Sequence, residues 1–219
     1  LVNQGLIRWA LERQDLARET VARKVNVRLG TLANWEQGAA RPTLRQAKRL
    51  ARTLNIPFGY LFLSDPPAEE TPLPDLRTVS GERQRIPSPN LRDVLHDALL
   101  KQRWYRAHLG EEGARPLPFV GRFSVNGQHD QVAEHVKETL AIDQDMRHGI
   151  PTWEDFLRQF IRRAEHSGVL VLRSGVVGNN THRTLDVDEF RGFAISDSFA
   201  PLVFLNSRDS RAAQIFTLA

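Results

Sequence analysis

The chain has 219 residues, with 30 Lys and Arg against 26 Asp and Glu and no cysteine. That length supports one large or two modest domains with a real core. The missing cysteines exclude disulfides, thiolate metal sites and cysteine nucleophiles and fit a reducing, cytoplasmic setting, and no apolar run approaches bilayer length.

Charge is unevenly placed. Residues 1–63 hold 11 basic and 4 acidic side chains, a net +7, whereas residues 64–219 hold 19 and 22, a net −3. A basic head on a mildly acidic body points to a polyanion partner for the head alone. The chain opens on Leu1 rather than Met. It stops in an apolar run, Ala212 to Ala219, with no Gly, Asn or Pro to end a helix. Both ends are therefore expected to be edges of a longer protein.

Residues 3–63 read as short helices. Two of them, 17–25 and 29–37, are joined at Asn26-Val27, where the turn needs a positive φ that Asn tolerates. Val21, Val25, Val27, Leu32 and Trp35 are expected to face inward, and Gly38 to end the second helix. Thr43 starts a fourth helix running through Leu54, and Pro57 opens a fifth that ends near Leu63. Residues 64–89 then hold six of the 12 prolines. Such a segment reads as a semi-extended connection, unable to build helix or central strand. Leu73, Leu76 and Val79 would lay it along a domain surface.

Residues 90–219 read as mixed α and β. Asn90 is expected to cap a helix with Leu91, Val94, Leu95, Ala98 and Leu99 on one stripe. Residues 130–140 form a second amphipathic helix. Thr152 starts a third, burying Trp153, Phe156, Phe160, Ile161 and Ala164. The period then changes to strands at 168–172, 191–196 and 201–206, with Asp197-Ser198 as a turn. Ser207 is expected to cap the final helix. The expected fold is thus an all-α head, a proline-rich linker and an α+β body. The expected domains are 1–63, 64–89 and 90–219.

The run Trp35-Glu36-x-Gly38-x-x-x-Pro42, with the helix pair before it, closely resembles the Xre (lambda-repressor-like) helix-turn-helix family over about 60 residues. In that family the second helix of the pair enters the DNA major groove and the first touches phosphates. The resemblance implies that Arg18 contacts phosphate. It places Arg28, Leu29, Gly30, Thr31 and Asn34 on the outward face of the recognition helix, with Arg41 and Arg45 flanking the following loop. Strong sequence readers carry polar side chains where this chain has Leu29 and Gly30. Leu29 is limited to a thymine methyl, and Asn34 is the best base reader because a carboxamide pairs bidentately with adenine. Modest specificity riding on phosphate contacts follows, with homodimerisation expected because the family reads paired half-sites. The competing reading is a degenerate helix-turn-helix used for protein contact or dimerisation.

Residues 169–219 resemble the front half of the ImmA/IrrE family of zinc-metallopeptidase-like domains. The likeness rests on Arg173 to Arg183, Arg191 to Ala194, Pro201 to Asn206 and Gln214 to Ala219. In that family a His-Glu-x-x-His helix follows, and none of it is in this chain. The seven histidines lack the i, i+4 spacing of a zinc helix, so no cofactor or catalytic residue is assigned here. Zinc would enter only with a motif beyond Ala219. The layout of head, Pro72 to Arg77 and body resembles a subfamily of antitoxins of PIN-like ribonuclease toxins. It implies operator binding by the head and toxin capture by the body or linker. Trp104 and Tyr105 would anchor such a partner if exposed, and their position favours core. The alternatives are the front part of a zinc endopeptidase that cleaves a repressor, and a plain repressor whose body senses a signal.

Overall fold

The structure is a computed structural model describing residues 1–14, 16–67, 75–77, 87–124, 129–142 and 150–219. It divides into two compact units, Leu1–Glu70 and Thr71–Ala219.

The first unit is helical. Helix α1 (Gln4–Arg13) starts at Asn3, whose side chain accepts the Gly5 N–H. Helices α2 (Arg18–Val25) and α3 (Leu29–Gln37) follow, then α4 (Leu44–Thr53) and a short 3₁₀ turn at Phe58–Phe62. The expected fifth helix is thus a single tighter turn. Thr43 and Gln46 close a reciprocal capping box at the start of α4, which satisfies two orphan donors at once. One core gathers Ile7, Leu11, Val21, Val25, Leu32, Trp35, Leu50, Leu54 and Leu61. Val27 lies half-buried beside it.

Two residues set the turns. Asn26 takes φ 63° after α2, and the Val27 N–H reaches the Ala22 carbonyl at 2.9 Å. Gly38 takes φ 76° after α3. A Cβ there would lie 1.6 Å from Gln4 Oε1. Gly38→Ala is therefore expected to cost about 1–2 kcal/mol from the left-handed backbone alone. Urea denaturation followed by tryptophan fluorescence measures it, and an unchanged midpoint would show that the turn relaxes freely.

The second unit is built on a four-stranded sheet. Its strands are β1 (Asp75–Arg77), β2 (Leu170–Ser174), β5 (Gly192–Ile195) and β6 (Leu202–Asn206), in the order β1-β5-β6-β2. Strands β1/β5 and β5/β6 pair antiparallel, and β6/β2 pair parallel. The last pair is covered on both faces, and its apolar side chains alternate between two cores. Leu202 and Phe204 join helix α5 (Pro89–Glu111) on one face. Val203 and Leu205 join helices α6 (His129–Thr139), α7 (Trp153–His166) and α8 (Arg211–Leu218) on the other. Phe193 and Phe204 stack 4.9 Å apart at the centre of the α5 side. A separate two-stranded hairpin joins β3 (Val176–Val177) to β4 (Asn180–Thr184).

Several expectations are corrected. Helix α5 is capped by Ser88, with Pro89 in its first turn. Both the N–H and the hydroxyl of Ser88 donate to Glu189 at 2.7 Å. Asn90 instead donates to the Thr184 carbonyl and accepts from Arg183. Ser210 rather than Ser207 caps α8. Thr152 does cap α7, and its hydroxyl holds the Asp155 carboxyl below the usual range. Trp153, expected inside, is 48% exposed, while Leu157 is buried in its place. Trp104, expected in the core, is 70% exposed and stacks on His108. Tyr105 is half-buried. Residues 75–77, within the segment read as a connection, form an edge strand. Leu73 and Val79 lie outside the described residues. Among the described residues, no helix is long and apolar enough to cross a membrane.

Candidate nucleic-acid interface

Helix α3 has two unlike faces. Leu32, Trp35 and Glu36 are buried. Leu29, Gly30, Asn34 and Gln37 are exposed, with Thr31 and Ala33 half-buried between them. Gly30, Asn34 and Gln37 fall at intervals of one and two helical turns and share one stripe, with Leu29 at its N-terminal edge. Nothing lies within 4 Å of where a Gly30 Cβ would sit. The stripe therefore presents an open, nearly flat strip of helix.

Charge flanks that strip. Arg28 is the N-cap of α3, Arg41 sits in the loop after it and Arg45 in the first turn of α4. All three are exposed, and none of their side chains forms an ion pair or hydrogen bond with a described residue. Cations held at a surface without internal partners are the form that phosphate contacts require.

The helix ends add to this. Neither α2 nor α3 has a side-chain cap, because Ala17 and Arg28 occupy the N-cap positions. The other capped helices use Asn3, Thr43, Ser88, Thr152 and Ser210. The Thr20 and Thr31 N–H groups reach back to the Ala17 and Arg28 carbonyls, so the first N–H groups of α2 and α3 have no side-chain acceptor. A helix N-terminus with free N–H groups favours an anion such as phosphate. This feature was readable in the sequence as two non-acceptor residues at the N-caps, and it was missed there. So was Gln37, a second exposed carboxamide on the α3 stripe.

Arg18, expected to contact phosphate, is also engaged within the protein. Its Nε and Nη2 donate to the Glu36 carboxylate at 2.8–3.1 Å, a bidentate pair across α2 and α3. Arg8 Nη2 donates to the Glu36 carbonyl at 3.1 Å. Hydrogen bonding to Glu36, and then its charge, raise the Arg18 pKa above the usual guanidinium value. Arg18 thus fastens the helix pair, and Glu36 is the anchor that sequence reasoning passed over. Arg18→Ala would leave the mostly buried Glu36 carboxylate without its partner. A loss of about 1–2 kcal/mol is expected, discounted because Arg18 is half exposed. A double-mutant cycle with Glu36→Gln checks it, since the pair requires the two losses to be less than additive.

Among the described residues no group of three or more His, Asp or Glu is arranged to hold a metal ion.

Residues 7–61 match the helix-turn-helix family. That segment runs from within α1 to Leu61 in the 3₁₀ turn, covering most of the helical unit. It supports the Xre-type head and a DNA-binding transcriptional regulator. No curated protein and no solved structure matches the chain.

Proposed function

We propose that the chain is an operator-binding regulator of the antitoxin kind. The first unit docks α3 in the major groove of its operator as a homodimer. The second unit covers a PIN-like ribonuclease toxin. The observation that carries the DNA half is the exposed α3 stripe, flanked by Arg28, Arg41 and Arg45 without internal partners. The arginines and the uncapped helix ends position the duplex, and Asn34 and Gln37 read it. Leu29 and Gly30 offer no hydrogen bond, so discrimination stays modest. Asn34→Ala is expected to erase about 1–3 kcal/mol of preference at one base pair while leaving affinity for unrelated duplex nearly unchanged. Competition binding with single-base operator variants measures this, and an unaltered preference would remove Asn34 from the reading set.

The antitoxin half rests on the resemblance of the whole layout, the head, Pro72 to Arg77 and the ImmA/IrrE-like body, to a subfamily of antitoxins. It is supported by Trp104 and Leu100, exposed one helical turn apart on α5. An exposed tryptophan beside an aliphatic side chain is a typical interface anchor. Co-expression with a PIN-like ribonuclease from a neighbouring gene tests this half. Retention of the nuclease by the wild type and its loss with Trp104→Ala are expected. A nuclease that never co-purifies would end the antitoxin reading and leave the DNA reading intact.

A further inference from the structure

We propose that the second unit binds a small phosphomonoester in a groove walled by α7, β2 and α8. The groove measures about 360 Å³, within the span of small-molecule sites, roughly 300–1,000 Å³. Arg173 lines it from β2. Alternation along the strand puts Arg173 on the same face as Val171, which packs on the side of α7 and α8. Arg158 and Arg162 line it from α7, one helical turn apart, and Arg211 from the first turn of α8. Four guanidinium groups thus border one groove, against the two carboxylates of Glu154 and Glu165.

The acids leave two of these cations uncompensated. Arg158 pairs with Asp155, and Arg211 lies 3.5 Å from Glu154. Arg162 and Arg173 have no acidic partner among the described residues. Arg173 is nevertheless held in place. Its Nε donates to Gln214 Oε1 at 2.7 Å, and Gln214 is 1% exposed. Gln214 Nε2 in turn donates to the Asp209 and Ser207 carbonyls at 2.7 and 3.4 Å, which sets the amide with its oxygen toward Arg173. A buried amide thereby orients a guanidinium whose two η nitrogens form no hydrogen bond with a described residue. Partial burial, and then the charge of Arg211, lower the Arg173 pKa below the usual guanidinium value. Cations gathered in this way repel one another, and a bound anion offsets the repulsion. The guanidinium fork matches two oxygens of a phosphate, and a phosphomonoester carries nearly two negative charges at neutral pH. Leu157 and Ile161 line the groove beside the charges. They give the organic body of an ester an apolar surface that a free phosphate ion leaves unused. The inference is independent of the DNA and antitoxin readings.

The test uses the full chain, ¹⁵N-labelled, titrated at constant ionic strength with phenyl phosphate and, separately, with inorganic phosphate. Saturable amide shifts at Arg162, Arg173 and Arg211 are expected with phenyl phosphate, and weaker binding with the inorganic ion. Arg173→Lys keeps the charge but loses the fork, and should weaken phenyl phosphate about tenfold, the worth of one charge-assisted hydrogen bond. Arg162→Gln changes an exposed side chain and should also weaken binding, which keeps the test standing if the Arg173 variant does not fold. Shifts that do not saturate, inorganic phosphate bound as tightly as the ester, or phenyl phosphate affinity unchanged in a folded variant would overturn the proposal. Duplex DNA that moves these amides where phenyl phosphate does not would also overturn it, and would make the groove a second nucleic-acid contact.

Discussion

Replacing Arg28, Arg41 and Arg45 together by alanine is expected to weaken binding to every duplex alike. It should also flatten the plot of log affinity against log salt by about three, one for each phosphate no longer neutralised. The argument is electrostatic. The three side chains are exposed and unpaired, so their removal leaves no buried group without a partner and should barely change stability. What disappears is the release of counterions from DNA, which carries most non-specific affinity. Fluorescence anisotropy on operator and unrelated duplexes, across a range of salt, separates the outcomes. A loss confined to the operator would mean that these arginines read bases. An unchanged slope would place the DNA contacts elsewhere.

Trp35→Ala is expected to cost about 3–5 kcal/mol, the usual penalty for emptying a buried aromatic site. Trp35 is 2% exposed and lies in the core with Leu32, Leu50 and Leu54. It stands beside Glu36, which ties α3 to Arg18 and Arg8. The substitution therefore empties the core under the recognition helix and loosens its attachment together. A small domain holds only about 5–15 kcal/mol in total, so much of the first unit's stability would go. Urea denaturation of the variant measures this. A loss below about 1 kcal/mol would mean that the core collapses around the gap.

The first unit was legible because its signals are local. Asn26, Gly38 and Thr43 mark turns and caps through backbone preferences that act within a few residues. The Arg18–Glu36 pair was not legible, because it joins residues 18 apart whose approach depends on packing α2 against α3. The same contrast runs through the second unit. Strands β2, β5 and β6 show as apolar runs, since the sheet is covered on both faces. Strand β4 escaped notice because its residues are polar and mostly exposed. Strand β1 escaped because a three-residue edge strand takes its identity from its pairing with β5. Helix α5 misled in another way. Its buried stripe ends at Gln102, which donates to the Ala200 carbonyl. Beyond that point an aromatic residue such as Trp104 has no core to enter. Helical periodicity shows which face is apolar but not where the covering sheet stops. For the interface, the stripe and the three arginines came from the resemblance to the Xre helix-turn-helix family. The uncapped helix ends were equally visible in the sequence but carry no periodic signal.

The most direct test of the account is hydrogen exchange of the full chain with and without a duplex from its own promoter. Protection is expected along residues 28–37 and through 41–45, with the two uncapped helix starts slowed most. Bound duplex that leaves these residues exchanging as in the free protein would contradict the recognition-helix assignment.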